Sequence, residues 1–444
     1  MKKLATPLPI PRALLVVILP FQRFFRTASA SGLALLAATA LALAWANSRF
    51  FALHEQLFGS VVSFDLFGHT GAWTLHRWID DGAMTALFLV VGIEIKRELT
   101  VGELRTLGRA LLPAVGALGG MLVPAAIYAA LNRHGARAGM GVPVATDIAF
   151  SLGCLALVRS KVPTSLVVFL AALAIFDDLG AIVVIGVFYG HGVASGALLV
   201  AIAIVALLVL MNLFGVWSPL AYALVGVALW IAVLRAGVHP TLAGAVLGMC
   251  VPARPTIDPR RSLERLEVEI DALRRGLQQD DDDASLASLA AIEREVERVQ
   301  TPAARLSHGL EWLVSFVIVP LFALANAALP LTNVPLGLVF GPVSLGVALG
   351  LFVGKQAGVF VFTTMSIRLG LAPLPTGATP RQLHGVAVLA GIGFTMSLFI
   401  AKLAFDTNTD AAAAKLGILL GSLVSAVVGL ALLAGGAKVA EARG

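Results

Sequence analysis

Charge is what this sequence has least of. Asp, Glu, Lys and Arg make up 13% of its 444 residues, against roughly 25% in a typical soluble domain. Only two cysteines occur, Cys154 and Cys250, both inside apolar runs and without metal-ligand spacing. That excludes a disulfide scaffold and a cysteine metal site, and leaves both as small core residues. No glycine-rich loop of the phosphate-cradling kind is present, which excludes coupling to ATP hydrolysis through one. The short alternating segments of a β-barrel are missing as well. What fills the chain instead is apolar: 58% of residues are hydrophobic and the mean hydropathy is +0.91. A soluble fold cannot hide so much, because even a 300-residue domain buries only about 75% of its surface. The chain reads as an all-α polytopic membrane protein.

A helix needs about 20 mostly apolar residues to cross a bilayer. About twelve candidates lie near 31–48, 80–98, 108–131, 142–158, 164–188, 194–214, 219–235, 240–252, 305–328, 341–366, 382–401 and 411–436. With the N-terminus in the cytoplasm, alternating spans place Lys2, Lys3, Arg12, Lys96, Arg97, Arg105, Arg109, Arg159, Lys161, Arg368 and Arg381 on the inside. Arg49, Arg77, Arg133, Arg137, Arg235 and Lys402 fall outside. This bias predicts both termini in the cytoplasm. It also accounts for the net charge of +6 without a nucleic-acid partner. Residues 1–22 resemble a signal peptide, but Pro7, Pro9, Pro11 and the Arg23-Phe-Phe-Arg26 cluster interrupt it, so they are expected to remain as a cytoplasmic extension. Residues 23–444 then form the membrane domain. Within it, 49–79 are expected to carry a short outer β-hairpin around Gly68-His-Thr-Gly71. Residues 253–304, with the Asp280–Asp283 run, read as a charged, partly helical cytoplasmic loop.

Most acids lie in that loop or at span ends. Asp147, Asp177 and Asp178 do not, and Lys355 stands mid-span in Leu351-Phe-Val-Gly-Lys355-Gln. An ionisable group at bilayer depth costs roughly 2.5–3.5 kcal/mol on insertion scales. One ion pair with Lys355 explains one acid, not three. Adjacent carboxylates repel, and either a proton or a small hard cation relieves that repulsion, since carboxylate and carbonyl oxygens are such a cation's preferred ligands. Protons and cations then compete for one place, and the competition couples their fluxes if only a loaded site changes sides. An intramembrane aspartyl protease would instead need two acids on facing helices, such as Asp147 with Asp178, and the expected Gly-x-Gly-Asp stretch is absent. A proton-coupled carrier of an organic substrate would need an aromatic or Arg-lined pocket, and no Arg lies centrally.

Two spans look broken. One holds Gly141-Val-Pro143 and then Thr146 and Asp147; the other holds Gly385 and Gly391-Ile-Gly393-Phe-Thr395-Met-Ser397. Glycine, proline and hydroxyl residues mid-span in separate halves are the pattern of discontinuous helices crossing at the membrane centre, where unwound backbone offers carbonyls to a cation.

Six motifs now stand in order along the chain: Glu94-Ile-Lys-Arg-Glu-Leu99, Ala145-Thr-Asp-Ile-Ala-Phe150, Phe176-Asp-Asp-Leu-Gly-Ala-Ile182, Gly237-Val-His-Pro-Thr-Leu-Ala-Gly244, Pro320-Leu-Phe-Ala-Leu-Ala-Asn326 and Gly391-Ile-Gly-Phe-Thr-Met-Ser397. Together they resemble the NhaA-type sodium/proton antiporters of bacterial inner membranes, over nearly the whole chain. The resemblance implies twelve helices with inverted repeats, a homodimer in the lipid bilayer, and exchange of about two protons for one Na⁺ or Li⁺, with no cofactor and no enzymatic chemistry. It implies Asp178 as the principal cation ligand and Asp177 as the second carboxylate, paired with Lys355 when the cation is absent. Thr146 and Asp147 match the polar residues at the helix crossing, where Asp147 offsets exposed helix N-termini. Gly391, Gly393 and Thr395 match the second unwound stretch. Glu94, Arg97 and Glu98 match a pH-responsive region at the cytoplasmic mouth, and His239 a further pH-linked position. The chain departs from the pattern at Ser307, where the best-known members carry an acid, with Glu311 one turn later.

Overall fold

The computed structural model describes residues 28–435 except 67–68, 134, 191, 193, 254–258, 280–285, 293–300, 332–333 and 406. The 1–22 extension, Gly68 of the expected hairpin turn and the Asp280–Asp283 run lie outside the described residues. The protein is mostly helical. Along the chain come α1 (Ala28–Ala46), α2 (Phe51–Gly59), the antiparallel pair β1 (Val61–Leu66) and β2 (His69–Thr74), α3 (Met84–Thr100), α4 (Leu107–Leu131), α5 (Ile148–Leu157), α6 (Thr164–Phe188) and α7 (Ser195–Leu213). There follow α8 (Pro219–Arg235), α9 (Thr241–Cys250), α10 (Pro259–Gln278), α11 (Pro302–Leu313), α12 (Val319–Asn326), α13 (Pro342–Leu349), α14 (Lys355–Arg368), α15 (Pro380–Leu389), α16 (Phe394–Ala404) and α17 (Asn408–Ala434). Wide π turns at Trp78–Ala83, Val314–Ile318 and Gly350–Gly354 run directly into α3, α12 and α14.

Among the described residues, seven helices are long and apolar enough to span a bilayer, or nine if each of two bent pairs counts as one span. The protein is therefore a multi-pass membrane protein. Other segments expected to span are shorter: α8 has 17 residues and α9 has 10. The bent pairs differ in kind. The chain turns by 115° between α1 and α2, because Asn47 and Ser48 cap the end of α1: Asn47 Nδ2 donates to Leu43 O and Leu329 O, and Ser48 Oγ accepts from Phe50 N. Helix α2 was not foreseen within 49–79. The second bend, 44° between α15 and α16, falls at Gly391-Ile-Gly393.

Helix starts follow the usual capping chemistry. Ser218 and Thr301 accept from the backbone N–H of the third residue of α8 and α11, Ala221 and Ala304, each helix beginning with a proline. Thr379 and Gln382 form a reciprocal capping box at α15.

The residues divide into two compact units. One comprises the chain up to Asp80, Gly108–Tyr189 and Ser315 onward; the other comprises Asp81–Leu107 and Gly190–Val314. In the first, α4 and α14 meet at Gly119 and Gly358, where a Cβ on either would overlap the backbone carbonyl of the other. In the second, α3 and α9 meet through Gly92, Gly244 and Gly248, each facing the partner's backbone in the same way. Lipid gives no hydrophobic drive for helices to associate, so close backbone approach through small residues supplies the contact. Around that contact Leu208, Tyr222, Leu229 and Leu247 form the second unit's core.

Gly358→Ala is accordingly expected to lower stability in detergent by about 1–3 kcal/mol, the cost of overpacking. Gly309→Ala, where an added Cβ meets nothing, serves as the control. Equal melting midpoints for the two variants would refute the close-approach assignment.

Candidate functional site

In the first unit the chain straightens after the 3₁₀ segment Arg137–Val144, because Pro143 cannot donate to a continuing ladder and the backbone at Ala145 is extended. It re-enters a helix at α5 with Asp147 as the N-cap. The second interruption, between α15 and α16, lies directly against the first, and four hydrogen bonds join them. Asp147 N donates to Ile392 O at 2.7 Å. Thr146 Oγ1 lies 2.8 Å from Ala390 O. Ser151 Oγ donates to Leu389 O at 3.1 Å, and Ser397 Oγ donates to Val142 O at 2.7 Å.

Asp147 serves both new helix N-termini at once. Its Oδ1 accepts from Phe150 N at 2.9 Å, on α5. Its Oδ2 accepts from Thr395 N at 3.1 Å and also from the Thr395 hydroxyl, on α16. A helix N-terminus carries about half a positive charge, so one carboxylate stands between two such ends. It is 2% exposed.

The opposite charge sits where carbonyls are exposed. Lys355, at the first residue of α14 and 0% exposed, donates to Val144 O at the end of the 3₁₀ segment. The same ammonium pairs with Asp177 Oδ2 at 2.8 Å, and both side chains are wholly buried. Thr146 Oγ1 lies 2.7 Å from that same carboxylate oxygen, so its single proton is shared between Asp177 and the Ala390 carbonyl. Asp177 Oδ1 is buried and accepts no hydrogen bond among the described residues. Asp178 follows on α6, 2% exposed, with its side chain directed about 100° around the helix from that of Asp177. Gly391 and Gly393 line the second break: a Cβ on Gly391 would meet Leu351 O and one on Gly393 would meet Ser397 Oγ.

The other expected residues stand in the second unit. Arg97 pairs with Glu98 at 3.7 Å, and Arg97, Glu98 and Glu311 all act electrostatically on Glu94. His239 Nε2 lies 3.4 Å from Asp81, while its Nδ1 lies 2.8 Å from Thr241 Oγ1. Asp81 stands at the start of a span, where an acid carries no signal in the sequence.

A further polar centre in the first unit was also missed. Asp80 is 5% exposed and Asn326 2%. Asn326 Nδ2 donates to Asp80 Oδ1 at 2.9 Å, and Asn326 Oδ1 lies 2.8 Å from His76 Nε2, itself 3.5 Å from Asp80 Oδ2. Asn326 closes one of the motifs quoted above, which is the signal that marked it. Ser397 closes another of them, whereas Ser151 carried no signal of its own.

The Asp177–Lys355 geometry has a measurable consequence. Removing one partner of a buried pair leaves an uncompensated charge and costs about 3–5 kcal/mol, whereas replacing both is often neutral. Asp177→Asn is expected to lower the thermal midpoint in detergent, and Asp177→Asn combined with Lys355→Met is expected to recover most of the loss. A double variant no better than the sum of the singles would rule the pair out as a coupled unit.

Compared with known proteins, residues 22–433 match the family described as Na⁺/H⁺ antiporter 1. A Na⁺/H⁺ antiporter NhaA 1 of Myxococcus xanthus is 49% identical over 428 residues, covering 96% of this chain and 95% of its own. The Na⁺/H⁺ antiporter NhaA of Anaeromyxobacter sp. is 46% identical over 419 residues, 94% and 91% of the two chains. That of Rhodospirillum rubrum is 46% identical over 421 residues, 92% and 96%. A family match across nearly the whole length, with relatives nearly half identical over almost all of both chains, establishes that this chain belongs to the Na⁺/H⁺ antiporter 1 family.

Proposed function

We propose that the protein exchanges intracellular Na⁺, or Li⁺, for external H⁺, with about two protons per cation and one net charge moved inward. The observation that carries this reading is the wholly buried pair of Asp177 and Lys355 beside a second buried carboxylate, Asp178, under a pair of helix breaks. Asp178 is the principal cation ligand and Asp177 the second. Among the described residues no three His, Cys, Asp or Glu side chains gather as a metal cluster, so the cation's remaining ligands are oxygens of other kinds, the Thr146 hydroxyl and freed backbone carbonyls foremost. When Na⁺ arrives, Asp177 exchanges its bond to Lys355 for the cation, and protons leave. When protons return, the cation is displaced. Only a loaded site crosses, and flux couples to flux.

The fold behind this cycle has twelve transmembrane helices in inverted repeats, two of them discontinuous and crossing at mid-membrane. The protein sits in the bacterial inner membrane as a homodimer, with both termini cytoplasmic. Residues 1–22 form a cytoplasmic extension and 23–444 the antiporter domain, with 49–79 as an outer hairpin loop and 253–304 as a charged cytoplasmic loop. Glu94, Arg97, Glu98, His239 and Glu311 set the pH response. One net charge per cycle is worth about 2.3 kcal/mol per 100 mV, enough for a roughly fiftyfold cation gradient.

The aspartyl protease reading loses ground on geometry. Asp147 accepts from Phe150 N, Thr395 N and the Thr395 hydroxyl, which leaves it no free oxygen for a peptide bond.

The test is sodium- and lithium-induced proton efflux from inside-out vesicles, followed with a ΔpH dye between about pH 6.5 and 8.5, a range that brackets histidine titration. A cation-specific signal that rises with pH is expected, and Asp178→Asn, folded by its elution profile, is expected to abolish it. Full activity in Asp178→Asn would overturn the ligand assignment. Silence with every alkali cation in vesicles holding folded protein would overturn the cargo.

A further inference from the structure

A second polar cavity lies in the first unit, away from Asp177 and Asp178. It has a volume of about 590 Å³ and is bounded by α2, the end of α12, the end of α16 and the start of α17. Two lysines line it. Lys402 is on the last turn of α16 and Lys415 is on the second turn of α17. Each is within electrostatic range of the other. Among the described residues neither makes a salt bridge or a hydrogen bond.

Nearby acids do not supply the missing charge. Asp80 acts on Lys415 from a distance, but its Oδ1 accepts from Asn326 and its Oδ2 faces His76. Glu55 lines the cavity from α2, is exposed to solvent, and is in salt-bridge contact with neither lysine. Lys402 is exposed and Lys415 is half-buried, so the repulsion between them is relieved in part by water, and a counter-charge that joins both relieves it further. The first turn of α17 also borders the cavity, at Asn408 and Ala411, but it carries Asp410, whose carboxylate accepts from the N-cap hydroxyl of Thr407. That carboxylate offsets the positive end of the helix, so the positive charge of the cavity comes from the two lysines.

We propose that this cavity binds an oxyanion, a phosphate or carboxylate group, between Lys402 and Lys415. The volume is larger than one such group, which leaves room for either a hydrated free anion or a lipid headgroup. Asp177 and Asp178 do not line this cavity, and the proposal does not rest on the transport reading.

The test uses the purified full-length protein in a neutral detergent, with thermal unfolding followed at constant ionic strength. Three probes are titrated: inorganic phosphate, phosphatidylglycerol and, as the uncharged-headgroup comparison, phosphatidylcholine. A saturable rise in the midpoint with phosphate, phosphatidylglycerol or both is expected, and none with phosphatidylcholine. A response to phosphate assigns a free anion, and a response to phosphatidylglycerol alone assigns a lipid source. Lys402→Gln and Lys415→Gln are each expected to weaken half-saturation about tenfold, the loss of one charge-assisted contact. Lys415→Arg keeps the charge and is expected to keep the response, which separates binding from folding defects. Arg133→Gln, on a residue that does not line the cavity, is expected to leave it unchanged. No saturable rise in the wild type, or a rise that survives both glutamine variants, would overturn the proposal.

Discussion

The first unit depends on one carboxylate. Breaking two helices inside an apolar core exposes two N-terminal sets of N–H groups and two C-terminal sets of carbonyls, all away from water. Each orphaned group would cost on the order of 1–3 kcal/mol. Asp147 answers both N-termini with its two oxygens. Ser151, Thr146 and the Asp147 backbone answer the carbonyls that end α15, while Ser397 and Lys355 answer those of Val142 and Val144. The two breaks are thus each other's hydrogen-bond partners, and neither is satisfied alone. Gly393 is required for the same reason, since a Cβ there would meet Ser397 Oγ, while Gly391 is required because a Cβ there would meet the Leu351 carbonyl.

Compensation of this kind is usually static, but here one of its members has a second obligation. Lys355 holds both the Val144 carbonyl and Asp177. A buried ion pair gives little net stability, because the desolvation of both charges offsets most of their attraction. That near balance makes the Asp177 bond exchangeable. In the proposed cycle, a cation that takes Asp177 would leave Lys355 still bonded to the Val144 carbonyl, so the ammonium would not be stranded. In that proposed cycle, the same helix then carries a carboxylate that leaves its partner and, next to it, Asp178 to meet what replaces that partner.

How much of this was legible in the sequence depended on the kind of signal. Asp147, Asp177, Asp178 and Lys355 stood out because charge in an apolar run has few explanations. The breaks were marked by glycine, proline and hydroxyls, but that one break would satisfy the other was not readable, since the bonded groups lie some 240 residues apart, as in Thr146 with Ala390. Ser151 looks like an ordinary small packing residue until its acceptor is known. Asp80 was passed over because a span-end acid is normally solvated; its burial comes from Asn326 and His76, which sequence distance hides. Helix α2 was missed because its nine residues lie beside the hairpin in a segment read as loop.

Asp147 and Asp177 are both buried carboxylates in contact with Thr side chains, yet their surroundings divide their work. Every oxygen of Asp147 is directed at backbone N–H groups that cannot leave without unwinding a helix. Asp177 accepts on one oxygen only, from a flexible ammonium and a rotatable hydroxyl, and its other oxygen accepts nothing among the described residues. Exchanging a partner at Asp147 means moving backbone; at Asp177 it means turning side chains. Side-chain rotations are far faster than collective backbone rearrangement. The proposed cycle, which loads and unloads ions repeatedly, needs its exchanging bond at the faster group and its fixed charge at the slower one, and the contacts of Asp177 and Asp147 suit them to those two parts.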